Sequence, residues 1–378
     1  MRFLSIPVAI QQDFPHGAMY RTYLQEHWKR RGVNVHRCNV EPLPWLNRLY
    51  NRISYALFVR LLHRRACPTY GRSWLHRFLT RRKIKAITKA YPDVQLHLFL
   101  TYAFRNEYTD KPSVLWCDWS DAIVIERLGR KTAWYERWWL AYESKVIQKA
   151  DAVYSMFPVC ADKMSKMYKR EVKWLRRNVV NTVETEAISL EEIIPSRLAT
   201  KRILFIGGGL YKGACEQLIT VFRKVRKNMD GLELHVVGQE QIAFGGDLEG
   251  VQFHGYLHKD VESEKNLYYE LLKSTRVFVN SASQWGGYSS TVEAMYYGCP
   301  VVISPYEDFT AEFGPAIDFG VYLDNTLTLE KALTKVFEMS EDEYHAMCIH
   351  AHETVANYTW KNYVEHLLDD LHKRGIDV

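Results

Sequence analysis

The sequence has no apolar run of the roughly 18 residues that a membrane-spanning helix requires. The opening stretch MRFLSIPVAIQQDF has no signal-peptide cleavage pattern, so it predicts a first β-strand instead of an export signal. The seven cysteines are scattered, with no CxxC and no metal-ligand spacing, which predicts reduced thiols. These absences favour a cytoplasmic protein, and a length of 378 residues predicts two domains of ordinary size.

Acidic residues are missing from the segment 42–92, which contains 12 Lys and Arg residues. Residues 1–200 hold 34 basic and 18 acidic residues, whereas residues 201–378 hold 16 and 26. Aromatic and aliphatic residues recur in the basic segment at helical spacing. A basic helical insert with an apolar face predicts a peripheral protein on an anionic membrane surface, here the inner face of the membrane. The alternative is a pair of core-packed helices with a solvated basic face.

Strand and helix patterns alternate along the chain, with no internal repeat and no low-complexity tract. This alternation predicts parallel sheets with right-handed crossovers. The predicted strands lie at 2–9, 33–39, 94–101, 113–117, 151–156, 172–176, 202–207, 232–238, 250–254, 276–281 and 300–303. The predicted helices include 17–31, 131–149, 213–228, 261–273, 289–298, 326–338 and 341–356. The stretch 181–201 has weak periodicity and a proline, which is typical of a junction between two domains.

Two glycine-containing loops follow predicted strands, the position at which parallel sheets bind ligands. In SIPVAIQQDFPHGAMYRTYL, Gly17 opens a helix and lets a phosphate or sugar approach the backbone. In RILFIGGGLYKGACEQLITVF, Gly207–Gly209 and Lys212 lead into a helix. The spacing matches neither GxGxxG nor GxxxxGK[ST], but free amides and one ammonium at a helix N-terminus suit a diphosphate. The alternative is a permissive turn with a solvated lysine.

A third such site lies in SQWGGYSSTVEAMYYGCPVVIS, residues 283–304. Ser289, Ser290 and Thr291 expose the first amides of a predicted helix, whose positive end attracts an anion. Glu293 follows in the first turn, where its carboxylate suits the two neighbouring hydroxyls of a ribose. The spacing of Ser290 and Glu293 also matches a capping box, in which the glutamate binds its own helix. The local sequence leaves both interpretations open.

Residues 202–304 resemble the nucleotide-binding domain of retaining GT-B glycosyltransferases, in particular glycosyltransferase family 4, the glycosyl transferases of group 1. The strand–Gly–Lys–Gly loop of that family matches FIGGGLYKG, and its middle segment matches LELHVVGQE and VQFHGYLHKD. Its EGFGxxxxEAMAxGxPVV motif matches WGGYSSTVEAMYYGCPVV. Weaker matches at KADAVYSMF, RRNVVNT and YTWKNY extend the resemblance over much of the chain.

The resemblance implies an α/β GT-B fold, with two Rossmann-like domains whose parallel sheets face each other across a cleft. An acceptor-binding domain at 1–180 would carry the insert 42–92. A linker at 181–200 would lead to a nucleotide-sugar-binding domain at 201–356, and a C-terminal helix at 357–378 would return to the first domain. The implied enzyme is a hexosyltransferase. It would move a sugar from a nucleotide-diphosphate sugar to a glycan or lipid-linked acceptor, with retention and without a metal or other cofactor. The charge asymmetry, with its basic and aromatic N-terminal segment, separately favours a lipid-linked or membrane-proximal glycan as acceptor, as in polysaccharide biosynthesis.

The resemblance also implies which residues form the site. Lys212, with Gly207, Gly208 and Gly209, would stabilise the departing diphosphate, and Glu293 would bind the ribose. The remaining implied donor-binding positions are Gly17, Gln284, Trp285, Gly286, Gly287, Tyr288, Ser289, Ser290 and Thr291.

Three positions depart from the family pattern. Trp285 replaces the first Glu of the paired-glutamate motif, so we expect Gln284 or the neighbouring backbone to contact the donor sugar. A glycine replaces the Arg that often precedes the Lys of the phosphate loop, which leaves Lys212 as the evident cation. Asp118 replaces the His that often ends the central strand of the first domain. Asp118 is either a catalytic residue that orients the acceptor or a turn aspartate.

Three other functions remain open from the sequence. Trp285 and the missing Arg also fit a catalytically silent family member that acts as a binding or partner subunit. The basic segment fits a nucleic-acid binder, but no recognition motif accompanies its aromatics, so we expect no nucleic-acid partner. A GT-B-fold epimerase, which needs no acceptor, is the third.

Overall fold

The computed structural model describes residues 2–8, 17–40, 43–64, 67–176, 179–182, 187–283 and 287–376. The chain divides into two compact units. The N-terminal domain comprises Met1–Arg177 and Trp360–Val378, and the C-terminal domain comprises Asn178–Thr359. Among the helices of the described residues, none is long and apolar enough to cross a membrane.

The N-terminal domain is Rossmann-like, with one parallel sheet and helical crossovers. Its strands are β1 (Arg2–Val8), β2 (Val33–Asn39), β3 (Leu96–Phe99), β4 (Ser113–Cys117), β5 (Ala152–Ser155) and β6 (Lys173–Trp174). Their order in the sheet is β2-β1-β3-β4-β5-β6. Its first helices are α1 (Gly17–Arg30), α2 (Pro44–Tyr55) and α3 (Trp74–Ala90), followed by α4 (Asp121–Arg127), α5 (Arg137–Lys149) and α6 (Pro158–Tyr168). Strands β3 and β5 are buried along their whole length, as expected for central strands of a parallel sheet.

The last helix of the chain, at Trp360–Lys373, lies in the N-terminal domain. Its Asp370 accepts a hydrogen bond of 2.6 Å from the Tyr154 hydroxyl of β5 and pairs with Lys173 of β6. Arg374 donates a further bond of 2.8 Å to the same carboxylate. Burial by itself would raise the pKa of Asp370, but these three partners lower it to about 2. A charged carboxylate therefore holds this helix to the sheet.

The C-terminal domain has a second parallel sheet. Its strands are β7 (Arg202–Ile206), β8 (Glu233–Val237), β9 (Val251–Phe253), β10 (Val277–Asn280), β11 (Val301–Ile303) and β12 (Gly320–Tyr322). Their order is β12-β11-β10-β7-β8-β9. Its helices are α7 (Leu190–Leu198), α8 (Lys212–Arg226), α9 (Glu262–Ser274), α10 (Ser289–Tyr296), α11 (Glu307–Phe313), α12 (Leu329–Phe337) and α13 (Glu341–Val355), and the C-terminal helix is α14.

Helix α8 shows how the core of the C-terminal domain forms. Five of its side chains are buried at positions that follow the helical period, namely Cys215, Leu218, Ile219, Phe222 and Val225. They join one apolar cluster with β7, β8 and β10. Each fully buried large aliphatic or aromatic side chain contributes about 1.5–3 kcal/mol. The rigid α8 fixes the position of the loop that precedes it.

The predicted linker 181–200 differs from what the structure shows, because part of it is a packed helix of the C-terminal domain. Ile194 of α7 is 1% exposed and belongs to the apolar cluster. The buried guanidinium of Arg197 donates bonds of 2.8 Å to the carbonyls of Leu272, Lys273 and Tyr297. These carbonyls lie at the C-terminal ends of α9 and α10, where intrahelical partners are missing.

One predicted helix begins later than expected, and one short strand was not predicted. The helix predicted at 131–149 begins at Arg137, because the Glu136 side chain closes the preceding turn by accepting 2.7 Å bonds from Arg130 and a 2.9 Å bond from the Ala133 amide. Strand β12 was not predicted. A side chain at Gly320 would lie 2.2 Å from the Val301 carbonyl oxygen, so this three-residue edge strand approaches β11 closely.

Candidate functional site

The loop between β7 and α8 is shaped by close backbone contacts. Gly207 donates its amide to the Val237 carbonyl at 3.0 Å, and a Cβ at Gly207 would lie 2.8 Å from the Cβ of Tyr211. Gly238 has a φ of +90°, and a Cβ there would lie 2.8 Å from the Gly207 oxygen. Gly208 and Gly209, in contrast, are exposed with open space around them. The loop is thus packed at its first glycine and open at the next two.

Gln239 positions this loop, and the sequence analysis missed it. Its side chain is 6% exposed, and its amide nitrogen donates to the carbonyls of Gly207, at 2.7 Å, and Gly208. Both carbonyls are thereby turned towards Gln239. A signal for this role was present, because Gln239 directly follows the strand–Gly pattern LELHVVG.

Lys212 is the first residue of α8, so its ammonium lies at the positive end of that helix. Its side chain is 45% exposed and lies 3.6 Å from Glu216 one turn further on. An exposed pair of this kind contributes little energy and leaves the ammonium available to an anion.

Helix α10 begins at Ser289, after its N-cap residue Tyr288, and the Tyr288 side chain makes no capping hydrogen bond. Tyr288 is buried, and its hydroxyl bonds to Glu312. The hydroxyl of Thr291 is buried without a hydrogen-bond partner in the described part of the chain. The capping-box alternative for Ser290 and Glu293 is wrong, because Tyr288 is the N-cap and the Glu293 carboxylate binds groups outside its own helix.

The β7–α8 loop and the start of α10 lie at the same edge of the sheet. They follow β7 and β10, which are adjacent parallel strands. The Tyr211 hydroxyl donates a 3.3 Å bond to the Gly287 carbonyl, which joins the two loops directly. Two helix N-termini and one exposed lysine therefore converge, which is an arrangement that attracts an anion.

Glu293 is buried in α10 with 2% exposure, and its carboxylate is bound by three groups of its own domain. The Asn181 amide donates at 2.8 Å and the Lys259 ammonium lies at 2.6 Å, both on Oε1. The Tyr268 hydroxyl donates to Oε2. Burial and the nearby carboxylate raise the pKa of Tyr268, so this hydroxyl remains a donor. Lys259 and Tyr268 were both missed by the sequence analysis.

The two candidates in the N-terminal domain are Asp118, after the end of β4, and Gly17, at the start of α1. Asp118 directly follows β4 and is exposed, and its carboxylate accepts a 2.8 Å bond from the Trp119 amide, as in a turn. Gly17 is the first residue of α1. Gln284, Trp285 and Gly286 lie outside the described residues.

Residues 200–325 match the family model described as "Glycosyl transferases group 1". The match covers both converging loops and all six strands of the second sheet. The C-terminal domain is similar to the group 1 glycosyltransferases over these residues. The resemblance that the sequence motifs predicted is thereby confirmed. No curated protein matches the chain.

Solved structures extend the likeness beyond these residues to the fold of the whole chain. Sucrose-phosphate synthase from Thermosynechococcus elongatus matches with a TM-score of 0.63 and 14% identity, over 99% of each chain. HepE from Anabaena, solved with UDP and glucose, matches with a TM-score of 0.61 and 11% identity, over 98% of this chain and 99% of that one. TarM matches with a TM-score of 0.54 and 14% identity over 77% of this chain, which spans 58% of the TarM chain. The predicted GT-B fold is confirmed.

Within the described residues, no group of three or more His, Cys, Asp or Glu side chains is arranged to hold a metal ion. Two lysine side chains lie near the converging loops of the C-terminal domain. Lys212 is exposed beside the loops, whereas Lys259 is 10% exposed and already paired with Glu293.

Proposed function

We propose that the protein transfers a sugar from a nucleotide-diphosphate sugar to a glycan or lipid-linked acceptor. The observation that carries this proposal is the convergence of Lys212 with the N-terminus of α10 through the Tyr211–Gly287 bond. Support also comes from the group 1 family match and from HepE, whose structure contains UDP and glucose.

The proposed reaction requires stabilisation of a developing negative charge. When the glycosidic bond of the donor breaks, negative charge develops on the β-phosphate of the leaving nucleoside diphosphate. Lys212, the amides of Gly208 and Gly209, and the start of α10 would stabilise that charge. Preorganised donors of this kind are worth about 2.7–4 kcal/mol each in the barrier. On this basis we propose that the reaction needs no divalent metal and, by the family resemblance, retains the anomeric configuration.

Glu293 has a narrower role in this proposal than the sequence predicted. A carboxylate offers about four lone-pair positions, and three are used by Asn181, Lys259 and Tyr268. One position is left, so we propose that Glu293 accepts one ribose hydroxyl instead of two. In the N-terminal domain, we assign the exposed carboxylate of Asp118 to orienting the acceptor and Gly17 to close approach of the donor.

The first test measures binding and hydrolysis of UDP-, GDP-, ADP- and dTDP-sugars. We expect one of them to bind and to be hydrolysed slowly without an acceptor. Lys212→Ala should reduce the rate about 10²–10³-fold. Lys224→Ala is the matched control, because Lys224 is an exposed lysine in the last turn of the same helix. EDTA should leave the rate unchanged, and NMR of the product should show the anomeric configuration of the donor.

Two results would overturn the proposal. If none of the sugar nucleotides binds, the chain is a silent family member that acts as a binding or partner subunit. If Lys212→Ala and Lys224→Ala have equal effects, the converging loops are not the diphosphate site. Release of free epimerised sugar without transfer would instead identify an epimerase.

A further inference from the structure

The basic insert exposes a continuous apolar stripe. Helix α2 runs directly into a π-helical segment at Ala56–Leu61, so residues 44–61 form one helical rod. Side chains at every fourth position share one face of such a rod. The apolar side chains on that face are each 44–68% exposed: Trp45, Leu49, Ile53, Leu57 and Leu61. This face of α2 does not pack into the core. Helix α3, in contrast, buries His76, Thr80 and Ile84, so the alternative of two core-packed helices holds for α3 and fails for α2.

Neighbouring aromatic residues widen the stripe. At the start of α3, Trp74 and Phe78 are 66% and 42% exposed, and their rings stack with centroids 5.5 Å apart. Trp74 also lines a cavity of about 350 Å³ together with Phe58 of the rod and Trp134, which is 71% exposed. We call the five-residue stripe with Trp74, Phe78 and Trp134 the apolar face.

Basic side chains border this apolar face. Arg48, Arg52 and Arg60 are exposed, and each immediately precedes a residue of the stripe. Two guanidinium groups lie over aromatic rings of the insert: Arg60 is 5.8 Å from the Tyr55 ring and Arg82 is 5.6 Å from the Phe78 ring. No acidic residue occurs between Glu41 and Asp93.

The acidic side chains that contact arginines of the insert form ion pairs, as Asp121 does with Arg72. Glu107 pairs with Arg81 at 2.5 Å. Glu136, which lines the cavity, pairs with Arg130 at 2.7 Å, and this pairing lowers its pKa. The surroundings of the apolar face therefore carry net positive charge.

We propose that the apolar face docks on an anionic lipid bilayer, with the rod lying in the plane of the interface. Exposed Trp, Leu and Ile would enter the headgroup–acyl boundary, where Trp is enriched. The bordering Arg side chains would meet anionic headgroups, which attract basic residues near the surface. A nucleic acid would satisfy the arginines but leave the apolar stripe in water. The face includes no residue of the proposed sugar-nucleotide site, so this inference is tested separately from the transferase activity.

The first experiment measures co-sedimentation of the full chain with vesicles of phosphatidylcholine alone or with 30% phosphatidylglycerol, at low salt. We expect binding to the anionic vesicles, weaker binding to the neutral ones, and loss of binding at 1 M salt. Ile53→Glu/Leu61→Glu should weaken binding to the anionic vesicles by about 100-fold, since two apolar anchors are lost. The matched control is Ile242→Glu/Val261→Glu, which changes two exposed apolar residues of the other domain and should leave binding unchanged.

A second experiment separates the charge from the apolar contact. Arg48→Gln/Arg52→Gln/Arg60→Gln should reduce the affinity for anionic vesicles by about 100-fold, at about fivefold for each basic residue. Lys224→Gln/Lys227→Gln/Lys331→Gln removes three exposed charges from the C-terminal domain and should change it little. Circular dichroism melts of every variant establish that the fold is intact.

Each contrary result has a defined meaning. If the unaltered chain does not bind anionic vesicles at low salt, the proposal is wrong. Equal losses in the Ile53/Leu61 variant and its control would also overturn it, because the insert would then be irrelevant. Tighter binding to duplex DNA than to vesicles would indicate a nucleic-acid surface. A concentration-dependent dimer that Leu61→Glu dissociates would indicate that a second copy covers the face.

Discussion

The buried pair of Lys259 and Glu293 allows a sharp test of the C-terminal domain. The side chains are 10% and 3% exposed and lie 2.6 Å apart. Lys259→Met removes the cation but leaves a buried carboxylate, and breaking a buried pair in this way costs about 3–5 kcal/mol. The Asn181 amide and the Tyr268 hydroxyl still bind Glu293. We therefore expect Lys259→Met to lower the free energy of unfolding by about 3 kcal/mol.

Thermal unfolding of the full chain provides the assay. For a domain of this size, about 3 kcal/mol corresponds to a fall in Tm of about 6–12 °C. Glu293→Gln alone should also destabilise, because it leaves the Lys259 ammonium buried without its counterion. The double variant Lys259→Met/Glu293→Gln has no buried charge. Its glutamine oxygen can accept from the Asn181 amide while its NH2 group donates to the Tyr268 oxygen. The double variant should therefore be more stable than either single variant.

The melting temperatures of the three variants show whether Lys259 and Glu293 form a coupled buried pair. If Lys259→Met melts at the same temperature as the unaltered chain, the pair is solvated and the burial argument fails. If the two single losses simply add in the double variant, the two groups are not coupled. Lys265→Met is the matched control, because Lys265 forms an exposed pair with Glu262 in α9 and should change the Tm little.

Two further predictions follow from other buried groups. Gln239→Leu should weaken sugar-nucleotide binding about tenfold, since two loop carbonyls lose their donor, whereas Gln241→Leu at an exposed neighbour should not. Calorimetric titration measures both, and equal affinities would show that the loop holds its shape without Gln239. Burial and the charge of Asp121 raise the pKa of Glu143 to about 8, so the folded state retains a proton that the unfolded state loses above about pH 4.3. Stability should fall as pH rises from about 5 to 8, by up to about 1.4 kcal/mol per unit, and Glu143→Gln should flatten that slope in urea titrations. An unchanged slope would mean that Glu143 titrates normally.

The regular elements were predictable because each leaves a local pattern. The strands at 33–39 and 113–117 were predicted with the bounds that the structure has. The first contains buried apolar residues separated by polar ones, and the second is a short apolar run. Strand β12 was not predicted, because three residues are too few to show a periodic pattern. Its pairing depends on the fit of Gly320 against Val301. Helix α7 was not predicted, because a single strongly buried apolar residue, Ile194, does not form an apolar stripe along the helix.

The candidate site, too, was only partly predictable from the sequence. Glycines 207–209, Lys212 and the start of α10 were predictable, because a loop that follows a strand and opens a helix is a local feature. Their convergence was not, since the Tyr211–Gly287 contact joins segments 76 residues apart. Nor could the sequence show that Lys259, 34 residues away, lies against Glu293.

The sequence by itself determined the alternation of strands and helices, the family motifs and the basic insert, because each is written in neighbouring residues. Only the tertiary structure decided which groups meet. In the folded chain, three groups bind the Glu293 carboxylate, and the Lys212 side chain is exposed to solvent. The fold also turns the apolar stripe of the insert outward. Burial and pairing depend on elements that are distant along the chain, and these set the charge and the accessibility of every site residue.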